Sequence, residues 1–335
     1  MTNDLRNKIG NIISRNADDK EVVFQLKQML HKFELQNYNV KDVKNIADLA
    51  TENICQLKDK VTQNAVIKSG FDDFDSKFYG FFPGEFVVVG GRPAMGKTQF
   101  LINLSLNISQ SIPVLYVTLE LSEESLTNRF ISSVTQTPIT NILAGDLCEE
   151  SENRLSTVGN EFAKRKLFIL DGCNTSIEAL MSNFQKQIQE NGVKVIIIDY
   201  LQLLYSNKNI DNRNYEMSYI CREIKNLGRE NNVLVIASSQ LNRGVEHRTG
   251  IFKHPQLCDL RECGSIEQDA DKVIFVHRYE CYGLTEDQDG NSLRNLAIIL
   301  MAKNRTGQMG GIYLSRDEAF TNFMNFENRT NPSYL

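Results

Sequence analysis

The segment that most constrains this chain is Gly91-Arg92-Pro93-Ala94-Met95-Gly96-Lys97-Thr98, which satisfies the pattern G-x-x-x-x-G-K-[ST]. A short apolar run, Glu85–Val89, precedes it, and Phe100, Leu101, Leu104 and Ile108 follow at helical spacing. Strand, glycine-rich turn and helix in that order make a phosphate cradle. The glycines let the backbone curl so that N–H groups face phosphate oxygens, and the helix N-terminus adds its positive end. Lys97 is placed to neutralise the β- and γ-phosphates of a nucleoside triphosphate, and the Thr98 hydroxyl to hold Mg2+. The alternative, a chance match in a glycine-rich loop, does not account for the strand and helix on either side.

Downstream of Gly70, short apolar or β-branched runs alternate with helical patterns. The runs are Glu85–Val89, Val114–Thr118, Leu167–Leu170, Val193–Ile198, Val233–Ala237, Val273–Val276 and Leu296–Met301. Continuous apolar runs suit parallel strands buried on both faces, and the helices between them give repeated βαβ units. The expected fold is therefore α/β, with a mostly parallel, twisted, doubly wound sheet. Such sheets bind ligands at the carboxyl ends of their strands, so polar residues closing these runs are candidates for chemistry. Asp199 closes Val193–Ile198 and can orient Mg2+ and its waters, although a turn or helix-cap role also fits. Glu120 ends Val114–Leu119 and can polarise the attacking water; equally, it can partner the cap of a helix beginning near Ser122. Gln240 follows Val233–Ser239 and can sense the γ-phosphate, or else is a solvated turn amide.

The first 65 residues read differently. Between Asn11 and Ser69 there is neither Gly nor Pro. Val22, Val23, Leu26, Met29, Leu30 and Phe33 recur at helical spacing, as do Val43, Ile46, Leu49, Ile54, Leu57 and Val61. Two amphipathic helices joined near Gln36–Asn39 are expected, too small for an independent core and packed on the main domain or on a neighbouring subunit. The domain reading is a helical extension over 1–65, a core over 66–326 and a frayed tail over 327–335. The seven cysteines form no CxxC pair, and the four histidines match no metal-ligand spacing. With no signal-peptide pattern and no apolar run of spanning length, a cytoplasmic location without membrane contact is expected. A net charge of -5 means that any nucleic-acid contact is confined to a few loops.

Taken together, these segments resemble the C-terminal domain of the bacterial replicative DNA helicases, the DnaB-like hexameric helicases, from about Val66 to about Phe326. Gly70-Phe71-Asp72-Asp73-Phe74-Asp75 and Phe82-Pro83-Gly84-Glu85 look like the family's lead-in to its first core strand. Gly91–Thr98 is close to its particular phosphate loop. Thr118-Leu119-Glu120-Leu121-Ser122 resembles the segment carrying its catalytic glutamate, Ile198-Asp199-Tyr200-Leu201-Gln202 its Walker B strand, and Ser239-Gln240-Leu241-Asn242-Arg243 its sensor motif. The block from Asp259 to Asp271 resembles the segment with the pore loop that grips single-stranded DNA, which implies Arg261, Glu262 and Gly264 as contacts; Cys263 stands where serine is more usual. Lys303-Asn304-Arg305-Thr306-Gly307 resembles the Lys-x-Arg-x-Gly element that reaches into a neighbour's ATP site, making Arg305 the arginine finger with Lys303 beside it.

The resemblance implies a RecA-like P-loop ATPase core, ATP and Mg2+ as ligands, single-stranded DNA as partner, and a homo-oligomeric ring, a hexamer in the family. One Arg and exposed backbone amides per subunit, repeated around a ring, grip DNA without a basic overall surface. The family carries a globular helical N-terminal domain where only about 65 residues stand here, so primase recruitment is not carried over. Two rivals use the same core. One is a recombinase-type ATPase forming a filament on DNA; the other is a non-translocating regulatory or scaffold ATPase.

Overall fold

The structure is a computed structural model. It describes residues 45–60, 66–242, 244–245, 254–260, 263–287, 290–317 and 321–326, together with 22, 248 and 319. The chain divides into two compact units, Met1–Gln63 and Asn64–Leu335. In the first, helix α1 spans Ile46–Lys60. The Asn45 carboxamide accepts the Ala47 amide at 2.8 Å and closes its first turn. This helix carries part of the second apolar repeat, and Ile46 and Ile54 are exposed on it. Except for Val22, the first repeat and its join near Gln36–Asn39 lie outside the described residues, as do Val43, Val61 and the tail 327–335.

In the second unit the short helix α2 (Asp72–Phe78) precedes strand β1 (Phe86–Gly91), and helix α3 (Lys97–Ile108) follows the phosphate loop. Then come β2 (Val114–Thr118), α4 (Glu123–Thr135), α5 (Ile139–Ala144), α6 (Glu149–Ala163), β3 (Leu167–Asp171) and α7 (Ile177–Glu190). They are followed by β4 (Val195–Asp199), α8 (Arg213–Asn231), β5 (Leu234–Gln240), the short helix α9 (Cys263–Asp269) and β6 (Lys272–His277). Strands β7 (Leu296–Asn304), β8 (Gly310–Arg316) and β9 (Phe323–Asn325) close the unit. The nine strands form one sheet in the order β3-β2-β4-β5-β1-β6-β7-β8-β9.

From β3 to β6 every pairing is parallel. Apolar residues fill the middles of these strands, with polar ones at the ends, and β1, β2, β4 and β6 are buried along their full length. Helices cover both faces because the side chains alternate between two apolar layers. Val87, Val89, Tyr116 and Ile197 pack with Phe100 and Leu104 of α3 on one side. On the other, Phe86, Val88, Ile196 and Val235 pack with Ile220 and Ile224 of α8. The outer strands β7, β8 and β9 add in antiparallel fashion, which makes the sheet mostly rather than wholly parallel.

Six strands differ from the sequence expectation at an end; β3 runs one residue further, to Asp171, and β6 gains Lys272 and His277. β1 begins at Phe86 and continues through Gly91, and β4 begins at Val195 rather than Val193. β5 runs on to Gln240, and β7 to Asn304, because neighbouring strands extend their hydrogen-bond ladders past the apolar run. β2 keeps the expected run Val114–Thr118 and does not continue to Leu119, because the Thr118 hydroxyl turns the chain by donating to the Leu121 carbonyl at 2.7 Å.

At the amino edge of the parallel strands, Lys272 is fully buried. Its ammonium donates to the Glu85 carboxylate at 2.8 Å and to the Gly80 carbonyl at 3.0 Å, and burial lowers its pKa from the ordinary lysine value. Truncation as Lys272→Ala strands a buried carboxylate, a loss of about 3–5 kcal/mol for a pair broken from one side. Chemical denaturation checks this; a change below about 1 kcal/mol would show that Glu85 finds other compensation.

Candidate nucleotide site

The site is built at the carboxyl edge of β1. Gly91 ends this strand, and a Cβ there would lie 2.9 Å from the Val276 carbonyl and 3.0 Å from Lys97 Cγ, so only glycine lets β6 and the loop close up. Ala94 (φ 64°) and Gly96 (φ 94°) adopt left-handed backbone conformations that curl the loop. Arg92 donates to the Leu241 carbonyl at 2.9 Å and ties the loop to the end of β5; Pro93, Ala94 and Gly96 line the cleft, and Met95 is buried. Lys97 and Thr98 open α3, so its first backbone N–H groups face the cleft. The Lys97 ammonium bonds the Arg92 carbonyl at 3.2 Å. Burial lowers its pKa from the ordinary value, and the nearby Asp199 and Glu120 carboxylates oppose that shift.

Asp199, the last residue of β4, sits directly beneath. The Thr98 hydroxyl donates to its Oδ2 at 2.8 Å, joining the two residues expected to share Mg2+. The carboxylate is held from behind as well. The Tyr116 hydroxyl donates to Oδ2 at 3.1 Å, and the Ser238 hydroxyl donates to Oδ1. Burial and this carboxylate push the Tyr116 pKa well above the ordinary tyrosine value, keeping the hydroxyl a donor. A hydroxyl and a carboxylate in contact at the edge of a phosphate loop are hard oxygen donors, the set that suits Mg2+. No group of three or more metal-ligating side chains exists among the described residues. A magnesium ion held by Thr98 and Asp199 would draw its other ligands from nucleotide oxygens and water.

Glu120 lies two residues past β2, exposed and bordering the same cleft as Lys97, Thr98, Asp199 and Gln240. The cap of α4 is Ser122, whose hydroxyl accepts the Ser125 amide at 3.2 Å, so the helix start is satisfied without Glu120. Gln240 is the last residue of β5 rather than a residue beyond it, and its amide donates to the Gln202 side chain at 3.2 Å. Gln202 in turn donates to Ser239 at 2.8 Å and braces the end of the strand. Two contributors are not legible in the sequence. Arg129 lines the cleft from α4, nine residues past Glu120, with no local motif to mark it. Tyr116 is buried inside an apolar run, where its hydroxyl reads as an ordinary core tyrosine.

Arg305 and Lys303 are elsewhere. The Arg305 amide donates to the Asp271 carbonyl at 3.0 Å, and the Asp271 amide donates to the Phe86 carbonyl at 2.8 Å, so the pair lies at the amino edge of β1. β1 runs from Phe86 to Gly91, which separates the two edges by about 16 Å at ~3.3 Å per residue. No side chain spans that distance, so Arg305 does not serve the phosphate loop of its own chain. Of the expected DNA contacts, Arg261 and Glu262 lie outside the described residues, and so does Arg243. Gly264 is exposed on α9.

Three comparisons bear on this arrangement. Residues 66–325 match the family described as DnaB-like helicase C terminal domain. The chain is 35% identical over 317 residues to a probable replicative DNA helicase of Trieres chinensis, covering 93% of this chain and 69% of that protein. It is 33% identical to the replicative DNA helicase DnaB of Rickettsia typhi, covering 98% and 72%. Among solved structures, one of an isolated ATPase domain superposes with a TM-score of 0.76 at 31% identity, over 85% of this chain and all of that one. A DnaB-like replicative helicase described with its interactions with primase gives 0.74 at 30% identity, over 97% and 77%.

Proposed function

The chain belongs to the DnaB-like helicase C-terminal domain family, and from that premise we infer that it is an ATP-hydrolysing replicative DNA helicase working as a homo-oligomeric ring on single-stranded DNA. The observation that carries this reading is the Thr98–Asp199 contact at one edge of β1 with Arg305 docked at the other. Each ATP then lies between two subunits of the ring, a hexamer in this reading.

One subunit binds the triphosphate through the backbone of residues 91–98. Lys97 neutralises charge on the β- and γ-phosphates. Glu120 orients a water and accepts its proton as the water attacks the γ-phosphorus. The γ-phosphoryl group leaves ADP, and Gln240 relays its departure to the loop that follows β5. Thr98 and Asp199 would hold Mg2+, which would supply positive charge to offset the negative charge of the triphosphate. From the neighbouring subunit, Arg305 stabilises the transferring phosphoryl group, with Lys303 beside it. The Arg261 side chain and the backbone amides of Glu262 and Gly264 grip the strand's phosphates in the pore, and the changing subunit interface moves them along it. One strand passes through and the other is excluded.

The first test is ATP hydrolysis by the full chain with and without single-stranded DNA. Stimulation several-fold above the DNA-free rate is the expected result, followed by unwinding of a forked duplex. Robust turnover indifferent to DNA would move the reading to the regulatory ATPase, and open helical particles in place of closed rings to the filament-forming one. A further expectation concerns the pore. Arg261→Ala weakens single-strand binding and flattens its dependence on salt by about 0.7 in log K per log salt for each phosphate no longer neutralised. Titrations at a series of salt concentrations measure this slope; an unchanged slope takes Arg261 off the DNA path.

A further inference from the structure

Arg305 does not hang free at the amino edge. Its guanidinium donates to Asp271 Oδ1 at 3.3 Å and to the Gln268 carbonyl at 2.7 Å, while half of the side chain stays exposed. Lys303 donates in parallel to the Glu267 carbonyl. Those carbonyls belong to the last turn of α9, where unpaired backbone oxygens carry the negative end of the helix. Asp271 itself is nearly buried and is fixed from two other sides. Its Oδ2 accepts the Phe86 amide at 2.9 Å and the Lys225 ammonium of α8. A carboxylate pinned to the first residue of β1 and to α8 therefore holds an arginine whose remaining surface faces outward.

We infer that Asp271 is the positioning residue that aims Arg305 at the neighbouring subunit's nucleotide, with the end of α9 as the second half of the seat. The inference rests on the proposed reading that Arg305 acts in trans. A finger that must cross a subunit interface needs its direction set before the neighbour arrives, since each freely turning bond lowers the fraction of time spent in the productive pose. Asp271 sets that direction with a charge-assisted bond, and the backbone oxygen of Gln268 keeps the guanidinium plane from swinging. The seat also draws on α9, the short helix that carries Gly264, so one of the expected DNA contacts and part of the seat of Arg305 share an element.

The test is Asp271→Asn, which keeps an oxygen for the Phe86 amide but removes the charge. ATP turnover by the homo-oligomer is expected to fall about tenfold to a hundredfold, the usual scale for misplacement of a reacting group. The KM for ATP stays within about twofold, because the phosphate loop is untouched. Subunit mixing separates aim from general damage. Asp271→Asn supplies a sound site and a faulty finger, and Glu120→Gln the reverse, so a mixture recovers activity through interfaces where the two sound halves meet. Recovery for this pair, as for Arg305→Ala with Glu120→Gln, supports the inference. Wild-type turnover in Asp271→Asn, or recovery for the Arg305 pair alone, overturns it. If neither pair recovers in confirmed mixed oligomers, the trans site itself is wrong and the inference falls with it.

Discussion

Lys97→Ala is expected to reduce ATP turnover to background. The ammonium lies in a cleft with Asp199 and Glu120 on its flanks and a loop carbonyl at 3.2 Å. Burial already disfavours its charged form, and a polyphosphate entering the cleft supplies the anion that restores it. Removing one preorganised donor of this kind costs about 10²–10³ in rate elsewhere. Here the loss is compounded, because Asp199 and Glu120 are left facing the phosphates with less opposing charge, so nucleotide binding weakens too. Phosphate release at saturating ATP measures the first effect and a fluorescent-nucleotide titration the second. Turnover within a few-fold of the parent would show that the chemistry lies outside the cleft.

The second large effect is expected for Arg305→Ala, a loss of about 10³–10⁵ in turnover, the range for an arginine finger in other nucleotidases. Nucleotide affinity should change much less than turnover, since a finger that stabilises the transferring phosphoryl group acts mainly in the transition state. That split distinguishes it from Lys97→Ala, where affinity and rate fall together. Mixing Arg305→Ala with Glu120→Gln subunits is expected to bring activity back, because some interfaces then pair an intact cleft with an intact finger. No recovery, with co-assembly demonstrated by size and composition, would mean that Arg305 does not act across an interface.

Most of the parallel sheet can be read from the chain because strands buried on both faces need a continuous apolar run, and β2, β4 and β6 each contain one of four residues, with polar residues only at their ends. The phosphate loop is legible for another reason. Its signature sits in eight consecutive residues, so it is recognisable without its distant partners. Asp199 is half legible: an acid closing an apolar strand stands out, but only folding puts the Thr98 hydroxyl 2.8 Å away. Strands β8 and β9 are not legible. Gly310–Arg316 mixes glycines with apolar residues, and Phe323–Asn325 is three residues long, so each is defined by pairing with a strand already in place. Arg129 and the seat of Arg305 escape because they join segments far apart in the chain. The bond from Arg305 to Asp271 spans 34 residues and that from Asp271 to Phe86 spans 185.

The separation of cleft and finger along β1 gives the subunit a head and a tail. Contacts between such subunits join unlike faces, and an array of this kind either closes or keeps growing. The arithmetic differs between the two outcomes. A closed set has as many complete sites as subunits, whereas a set broken at one seam has one fewer, with an idle cleft at one end and an unengaged arginine at the other. In the proposed ring, opening the circle to admit a strand of DNA would therefore silence one site by geometry alone, and resealing it would restore the full complement.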